Sequence, residues 1–315
     1  MTQANADNDG MPRTERFRGV SIVSETARAK VNLTLEILGR RPDGYHELRS
    51  LVAFAAYGDT VRLDDSEAPF SLQIEGPSAS ALEGGNLIQA AAELYARAAV
   101  ETDDARGMRT RGVFRLTKRI PVAAGLGGGS ADAAAALRLL ARRTPRGASL
   151  DALLPLAAKL GADIPVCLRS KPTIMTGIGE RLTALPVFPE IPAVLVNPRR
   201  PLATAAVFRD LRAIPLETLP PAREDEAVAF RSLDAVLDYA RHRRNDLEPS
   251  ARRLLPVVGE ILNRLEQMPG TVLARLSGSG PTCFALFRET EEAMAAARTL
   301  RGAHPDWWIE ATTLA

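Results

Sequence analysis

The chain has 315 residues, 46% hydrophobic and 25% charged, a globular composition long enough for two modest domains or one large one. With 40 Lys plus Arg against 38 Asp plus Glu, the net charge of +2 is too balanced for a dedicated nucleic-acid binder, and the arginines are scattered rather than gathered on one stripe. No apolar run is long enough to cross a bilayer and the first 20 residues lack the apolar centre of a secretory signal; the expected setting is cytoplasmic, with residues 1–20 as a disordered tail.

From Ala29 the segment "AKVNLTLEILG" alternates. Val31, Leu33, Leu35 and Ile37 share one face; Lys30, Asn32, Thr34 and Glu36 share the other, so the spacing predicts a strand whose second face is polar. Pro42-Asp43-Gly44 is turn chemistry, after which "LRSLVAFAAYGDTVRL" resumes as strand. Leu87, Ala91, Leu94 and Ala98 recur at helical spacing, and "GVFRLTKRIPV" then alternates as a strand into "PVAAGLGGGSADAAAALRLL", Pro121 to Leu140.

That stretch sets a bare backbone directly before a helix marked by Ala133, Ala134, Leu137, Leu140 and Ala141. Glycine removes every Cβ from the inner surface of the loop, and a helix N-terminus carries unpaired N–H groups and roughly half an elementary positive charge; together they make an anion site, most often for phosphate. The loop has no lysine, so it is not a Walker A loop. It has Ser130 where a dinucleotide fingerprint needs glycine, and no strand ending in an acidic residue follows. A tight turn capping an ordinary Ala-rich helix is the plainer alternative, but a simple cap needs only Ser130.

Beyond it, "SLDALLPLAAKLGADIPVCL" reads as a helix ending near Gly161 and a short apolar segment. Prolines and glycines then break the chain into short strands, which places a domain boundary near Lys171. The second half contains a proline-rich charged loop, "PPAREDEA", then helices, then strands "TVLARL" and "TCFALF" around the glycine loop "LSGSGP". The helix "TEEAMAAARTLR" and a last strand in "WWIEATTL" complete an α+β sandwich.

Four side chains stand out for chemistry. Lys30 is one of only four lysines, in a chain that elsewhere uses arginine for plain positive charge; a compact ammonium near phosphate or carboxylate is the functional reading, and an incidental lysine at a strand edge the alternative. Asp163, just past a helix-ending glycine and before a proline, suits a general base or an Asx-turn. Tyr45 and His46 follow the turn directly, where a ring beside an imidazole can stack on and hydrogen-bond a planar base; a buried tyrosine with an exposed histidine is the alternative. Cys167 and Cys283 sit in apolar company without metal-ligand spacing and read as small buried hydrophobes in a reducing compartment.

In their order, "AKVNLTLEILGRRPDGYHELRS", "PVAAGLGGGSADAA" and "LSGSGP" resemble the three motifs of the GHMP small-molecule kinases, from about Ala27 to the C-terminus. "RPDGYHEL", "GADIPVCL" and "RNDLEPSA" look like the branch of that family whose acceptor is a cytidine-diphosphate-linked methylerythritol, on the non-mevalonate route to isoprenoid precursors. The resemblance implies an α+β fold of two domains with the active site between them. One is an N-terminal ribosomal-S5-like domain (21–171) with a left-handed βαβ unit; the other is a C-terminal ferredoxin-like domain (172–315).

It also implies transfer of the γ-phosphoryl group of ATP, with Mg2+, to the 2-hydroxyl of that small molecule, without nucleic-acid or membrane partners. By the same resemblance Asp163 would be the general base, Lys30 its charged partner, and Asn32 would orient the substrate. Tyr45 would stack on the cytosine, His46 would hydrogen-bond its edge, and Phe208 in "AVFRDL" would close its other side. Gly125, Leu126, Gly127, Gly128, Gly129 and Ser130 would cradle the ATP phosphates. Metal ligands and oligomeric state stay unassigned. The other readings are a homoserine- or mevalonate-type kinase of the same family, and a nucleotide-binding regulator that has lost catalysis.

Overall fold

The computed structural model describes residues 14–17, 20–82, 84–101, 111–143, 149–218 and 229–315. The alternating segment read from Ala29 overlaps the end of β2 (Val20–Asn32), which pairs antiparallel with the long β4 (His46–Pro69) from Ile22↔Asp64 to Asn32↔Val52. The register shifts between Arg28 and Lys30. Facing that bulge, a Cβ on Gly58 would stand 2.3 Å from the Ala27 carbonyl oxygen, so the strands close only over a glycine.

β4 is the spine of the first sheet. It also pairs with β3 (Glu36–Arg40), β6 (Arg111–Thr117) and β7 (Thr173–Gly177), while β1 (Thr14–Phe17) pairs with β2 and β8 (Arg181–Ala184) with β7. β5 (Ser71–Glu75) runs parallel to β6, with α1 (Leu87–Glu101) as the crossover of a βαβ unit. α2 (Gly128–Arg143) buries Ala131 through Leu137. Its run of alanines keeps the helix thin enough to pack on α1, on β2 and on α4 (Ile164–Arg169) at once. α3 (Leu150–Leu160) lies beside α4 and starts on a Ser149 cap, whose hydroxyl accepts the Ala152 N–H.

The second half runs β9 (Ile191–Asn197), α5 (Thr204–Leu211), α6 (Leu233–Arg241), α7 (Glu248–Leu254), α8 (Val257–Glu266), β10 (Leu273–Leu276), β11 (Cys283–Leu286), α9 (Thr290–Ala303) and β12 (Trp308–Leu314). Its strand order is β12-β9-β11-β10, all antiparallel, which is the ferredoxin-like arrangement. β9 is apolar on both faces because it serves two cores: Ala193 and Leu195 face one, Val194 and Val196 the other. Phe54 and Ala315 exchange backbone hydrogen bonds of 3.1 and 2.9 Å, and Leu314 pairs with Ala55, so the described strands form one 12-stranded sheet.

The expected boundary at Lys171 cuts through the first sheet. β7 and β8 follow it in sequence yet hydrogen-bond back to β4 and to each other, so the change of sheet falls between Ala184 and Ile191. The prolines and glycines that suggested the boundary mark short strands, and short strands carry no sign of which partner they will find. Of the expected tail, residues 1–13 and 18–19 lie outside the described residues, while Thr14–Phe17 is strand rather than tail, paired with Val20–Val23. The "PPAREDEA" loop likewise lies outside them. Among the described residues no helix is long and apolar enough to cross a membrane.

Candidate active site

Lys30, on the polar face of β2, extends to Asp163, the residue at the start of α4, and its Nζ donates to Oδ1 at 2.7 Å. The ammonium side is almost fully enclosed, whereas the Asp163 side chain is 42% exposed and borders a cleft of about 600 Å³. The lysine backbone is held too: its N–H donates to the Leu126 carbonyl at 2.9 Å. One strand residue therefore fixes both the carboxylate and the glycine loop.

The glycines have separate reasons for lacking a side chain. At Gly125 (φ 75°) a Cβ would stand 2.6 Å from the Gly280 carbonyl oxygen and 2.8 Å from that of Ser277. What approaches this glycine is the second glycine loop, which it meets backbone to backbone. Gly127 and Gly128 lie close over Lys30 and over the Lys118 ammonium respectively. At Gly129 a Cβ would meet only Leu87, at 3.6 Å, so the surrounding protein does not require glycine there. Gly128, Gly129 and Ser130 form the first turn of α2 and border the cleft, where the unpaired N–H groups of a helix start belong.

Below this turn lies an ion cluster that the sequence analysis missed. Lys118 Nζ donates to Asp59 Oδ2 and, at 2.8 Å, to Asp132 Oδ2, and all three residues are buried. Asp59 Oδ1 also accepts the N–H groups of Arg119 and Ile120, at 2.5 and 2.8 Å. Burial pushes the Asp132 carboxyl up to about 7; Lys118 opposes that rise and Asp59 adds to it. Burial also works against the Lys118 charge, but the two carboxylates outweigh it and hold the ammonium above its ordinary range. The scarcity of lysine that marked Lys30 marks Lys118 equally.

The second half closes the cleft with Thr204, Phe208, Leu247, Gly278 and Ser279. Of the residues expected from sequence, the cleft brings together Lys30, Asn32, Gly125, Gly127, Gly128, Gly129, Ser130, Asp163 and Phe208. Leu126 is fully buried in the core and contributes its carbonyl rather than its side chain. Tyr45 is 60% exposed on its turn, where Asp43 Oδ1 accepts its backbone N–H at 3.1 Å. His46 stands behind Phe208, and burial, with the Arg40 charge, holds its imidazole below the ordinary range. Cys167 and Cys283 are free thiols; burial pushes the first up to about 12 and the second well above its usual range. Among the described residues no group of three or more His, Cys, Asp or Glu is placed to hold a metal ion.

Residues 86–171 match the family model of the GHMP kinases N terminal domain, and residues 226–306 that of the GHMP kinases C terminal domain. A 4-diphosphocytidyl-2-C-methyl-D-erythritol kinase of Rhodopseudomonas palustris is 48% identical over 92% of this chain and 96% of its own. The chain belongs to the 4-diphosphocytidyl-2-C-methyl-D-erythritol kinases of the GHMP family. A kinase of the same name from Dinoroseobacter shibae is 45% identical over 96% of this chain and 99% of its own. A crystal structure of 4-(cytidine 5'-diphospho)-2C-methyl-D-erythritol kinase superposes with a TM-score of 0.69 at 34% identity, covering 92% of this chain and 98% of that one. The homoserine kinase of Cytophaga hutchinsonii, at 16% identity and a TM-score of 0.64 over 99% of this chain and 97% of its own, shares the fold. GHMP kinases use ATP as phosphate donor, and this GHMP kinase is an ATP-dependent phosphotransferase.

Proposed function

We propose that the chain transfers the γ-phosphoryl group of ATP to the 2-hydroxyl of 4-diphosphocytidyl-2-C-methyl-D-erythritol, the acceptor in the name its relatives carry. The observation that carries this reading is the Lys30–Asp163 pair, 2.7 Å apart at the edge of the cleft that the glycine loop borders. Phosphoryl transfer asks a protein mainly for positioning and electrostatic stabilisation. As the acceptor oxygen bonds to the γ-phosphorus and the bond to the β-phosphate oxygen breaks, Asp163 takes the hydroxyl proton. Lys30 holds one carboxylate oxygen and keeps Asp163 in place. The first turn of α2, from Gly128 to Ser130, receives the phosphates on its N–H groups.

The donor set suits a magnesium ion carried by the ATP phosphates rather than by a protein cage. Among the oxygen-bearing side chains of the cleft, Ser130, at the start of α2, would complete its shell. Asp132 is already engaged by Lys118 in the interior. The ion would neutralise charge on the transferring phosphates.

For the base, Phe208 presents a ring to the cleft and His46 lies against it. With its pKa held down, His46 is a neutral imidazole at neutral pH, offering one donor and one acceptor to a pyrimidine edge. Tyr45, exposed beside it, would cover the outer face of the cytosine.

Phosphorus NMR of the purified protein with ATP and magnesium tests the reading, with homoserine and mevalonate as parallel acceptors. A phosphomonoester signal with ADP only from the cytidine substrate supports it. Turnover of another acceptor overturns the assignment of the acceptor, and ATP binding without turnover of any overturns catalysis.

A further inference from the structure

Asn32 is 4% exposed and borders the cleft one strand repeat beyond Lys30. Its side-chain Nδ2 donates to Ser50 Oγ at 2.7 Å, and Ser50 Oγ donates to the Thr34 carbonyl at 2.6 Å. A hydroxyl has one proton. With that proton on Thr34, Ser50 meets Asn32 only as an acceptor, so the NH2 end of the amide must face Ser50. The opposite end, Oδ1, is buried without a hydrogen-bond partner. It faces the second glycine loop, where a Cβ on Gly278 would stand 3.4 Å away.

A buried acceptor without a partner is costly and marks a place that a ligand completes. We propose that Ser50 is a positioning residue: by holding the Asn32 amide in one orientation, it presents Oδ1 to the cleft as an acceptor for a hydroxyl of the phosphoryl acceptor. This rests on the kinase reading above. The reacting hydroxyl gives its only proton to Asp163, so Oδ1 serves a second hydroxyl, and the site selects a polyol over a simple alcohol. Ser50 is 1% exposed and does not itself touch the substrate.

The test compares kcat/KM for the cytidine-linked polyol with that for an analogue that keeps the reacting hydroxyl and lacks its neighbour. Wild-type protein is expected to prefer the polyol by roughly 5- to 150-fold, the range for leaving one buried polar group unpaired. Ser50→Ala removes the partner that orients the amide and should cut that preference to about threefold or less, through KM for the acceptor, while KM for ATP stays within about twofold. Ser50→Thr, which keeps the hydroxyl, should restore it. Should Ser50→Ala not fold, Ser50→Cys, a weak donor of similar size, is read in the same way. Preference for the polyol retained in the Ala or Cys variant overturns the proposal, as does an equal loss on both substrates with a raised KM for ATP. Failure of the kinase reading is distinct, because wild-type protein would then phosphorylate neither compound.

Discussion

The rings of His46 and Phe208 lie 4.8 Å apart at an interplanar angle of 38°, joining the first residue of β4 to a helix of the second half. Phe208 also packs against the core of the second half and borders the cleft, so part of its surface is free for a ligand. Phe208→Ala is expected to raise KM for the cytidine substrate roughly 5- to 150-fold, the equivalent of 1–3 kcal/mol of lost base stacking. KM for ATP should stay within about twofold in the same steady-state assay.

Asp163→Asn keeps the shape of the side chain and removes the proton acceptor. The kcat is expected to fall by about 10²- to 10⁴-fold. Because the aspartate is 42% exposed, the melting temperature should move little. Full turnover by this variant would show that the proton leaves by another route.

Two glycine substitutions separate packing from ligand approach. Gly125→Ala places a methyl 2.6 Å from the Gly280 carbonyl at φ 75° and should lower the melting temperature clearly. Gly129→Ala meets only Leu87 at 3.6 Å, inside a helix. It should fold at least as stably as the parent protein yet bind ATP more weakly, as read by calorimetry.

The Asp132 carboxyl, raised to about 7, gives the fold a pH signature. Between its unfolded value near 4 and about 7 the native state holds the proton more tightly than the unfolded chain. Its contribution to stability is therefore full at low pH and lost as pH rises through that window. Asp132→Asn lacks this dependence. Melting curves of the two proteins from pH 4 to 8 should show the Asn variant gaining on the parent as pH rises.

Both thiols are fully buried, with pKa values held far above neutrality. A charged disulfide reagent should leave Cys167 and Cys283 untouched in native protein and titrate both after unfolding.

The periodic parts of this molecule were legible before any coordinates. Alternation around Lys30 gave a strand with a polar face, and the "GLGGGS" loop gave the start of α2, because burial enforces period and glycine enforces close approach. The resemblance of ordered motifs supplied what spacing cannot: that Lys30 and Asp163, 133 positions apart, meet. Sheet membership of β7 and β8 was not legible, since short strands do not name their partner. Nor was the Lys118 cluster, because Asp59 and Asp132 lie in segments that read simply as strand and helix, and only the fold brings them to one ammonium.

The meeting of the two glycine loops carries a consequence for protein engineering. Ser277 Oγ lies within hydrogen-bonding distance of both the Asn32 N–H and the Gly125 carbonyl, and the Ala124 carbonyl accepts the Thr282 N–H. With backbone packed on backbone, neither loop can be transplanted alone. A chimera joining the first half of this chain to the second half of a distant relative inherits a mismatched seam at Gly125, whereas an exchange that carries Ser277–Thr282 along with the phosphate loop keeps its floor. Swapping acceptor specificity among these enzymes should therefore begin at Phe208, Tyr45 and His46, outside that seam.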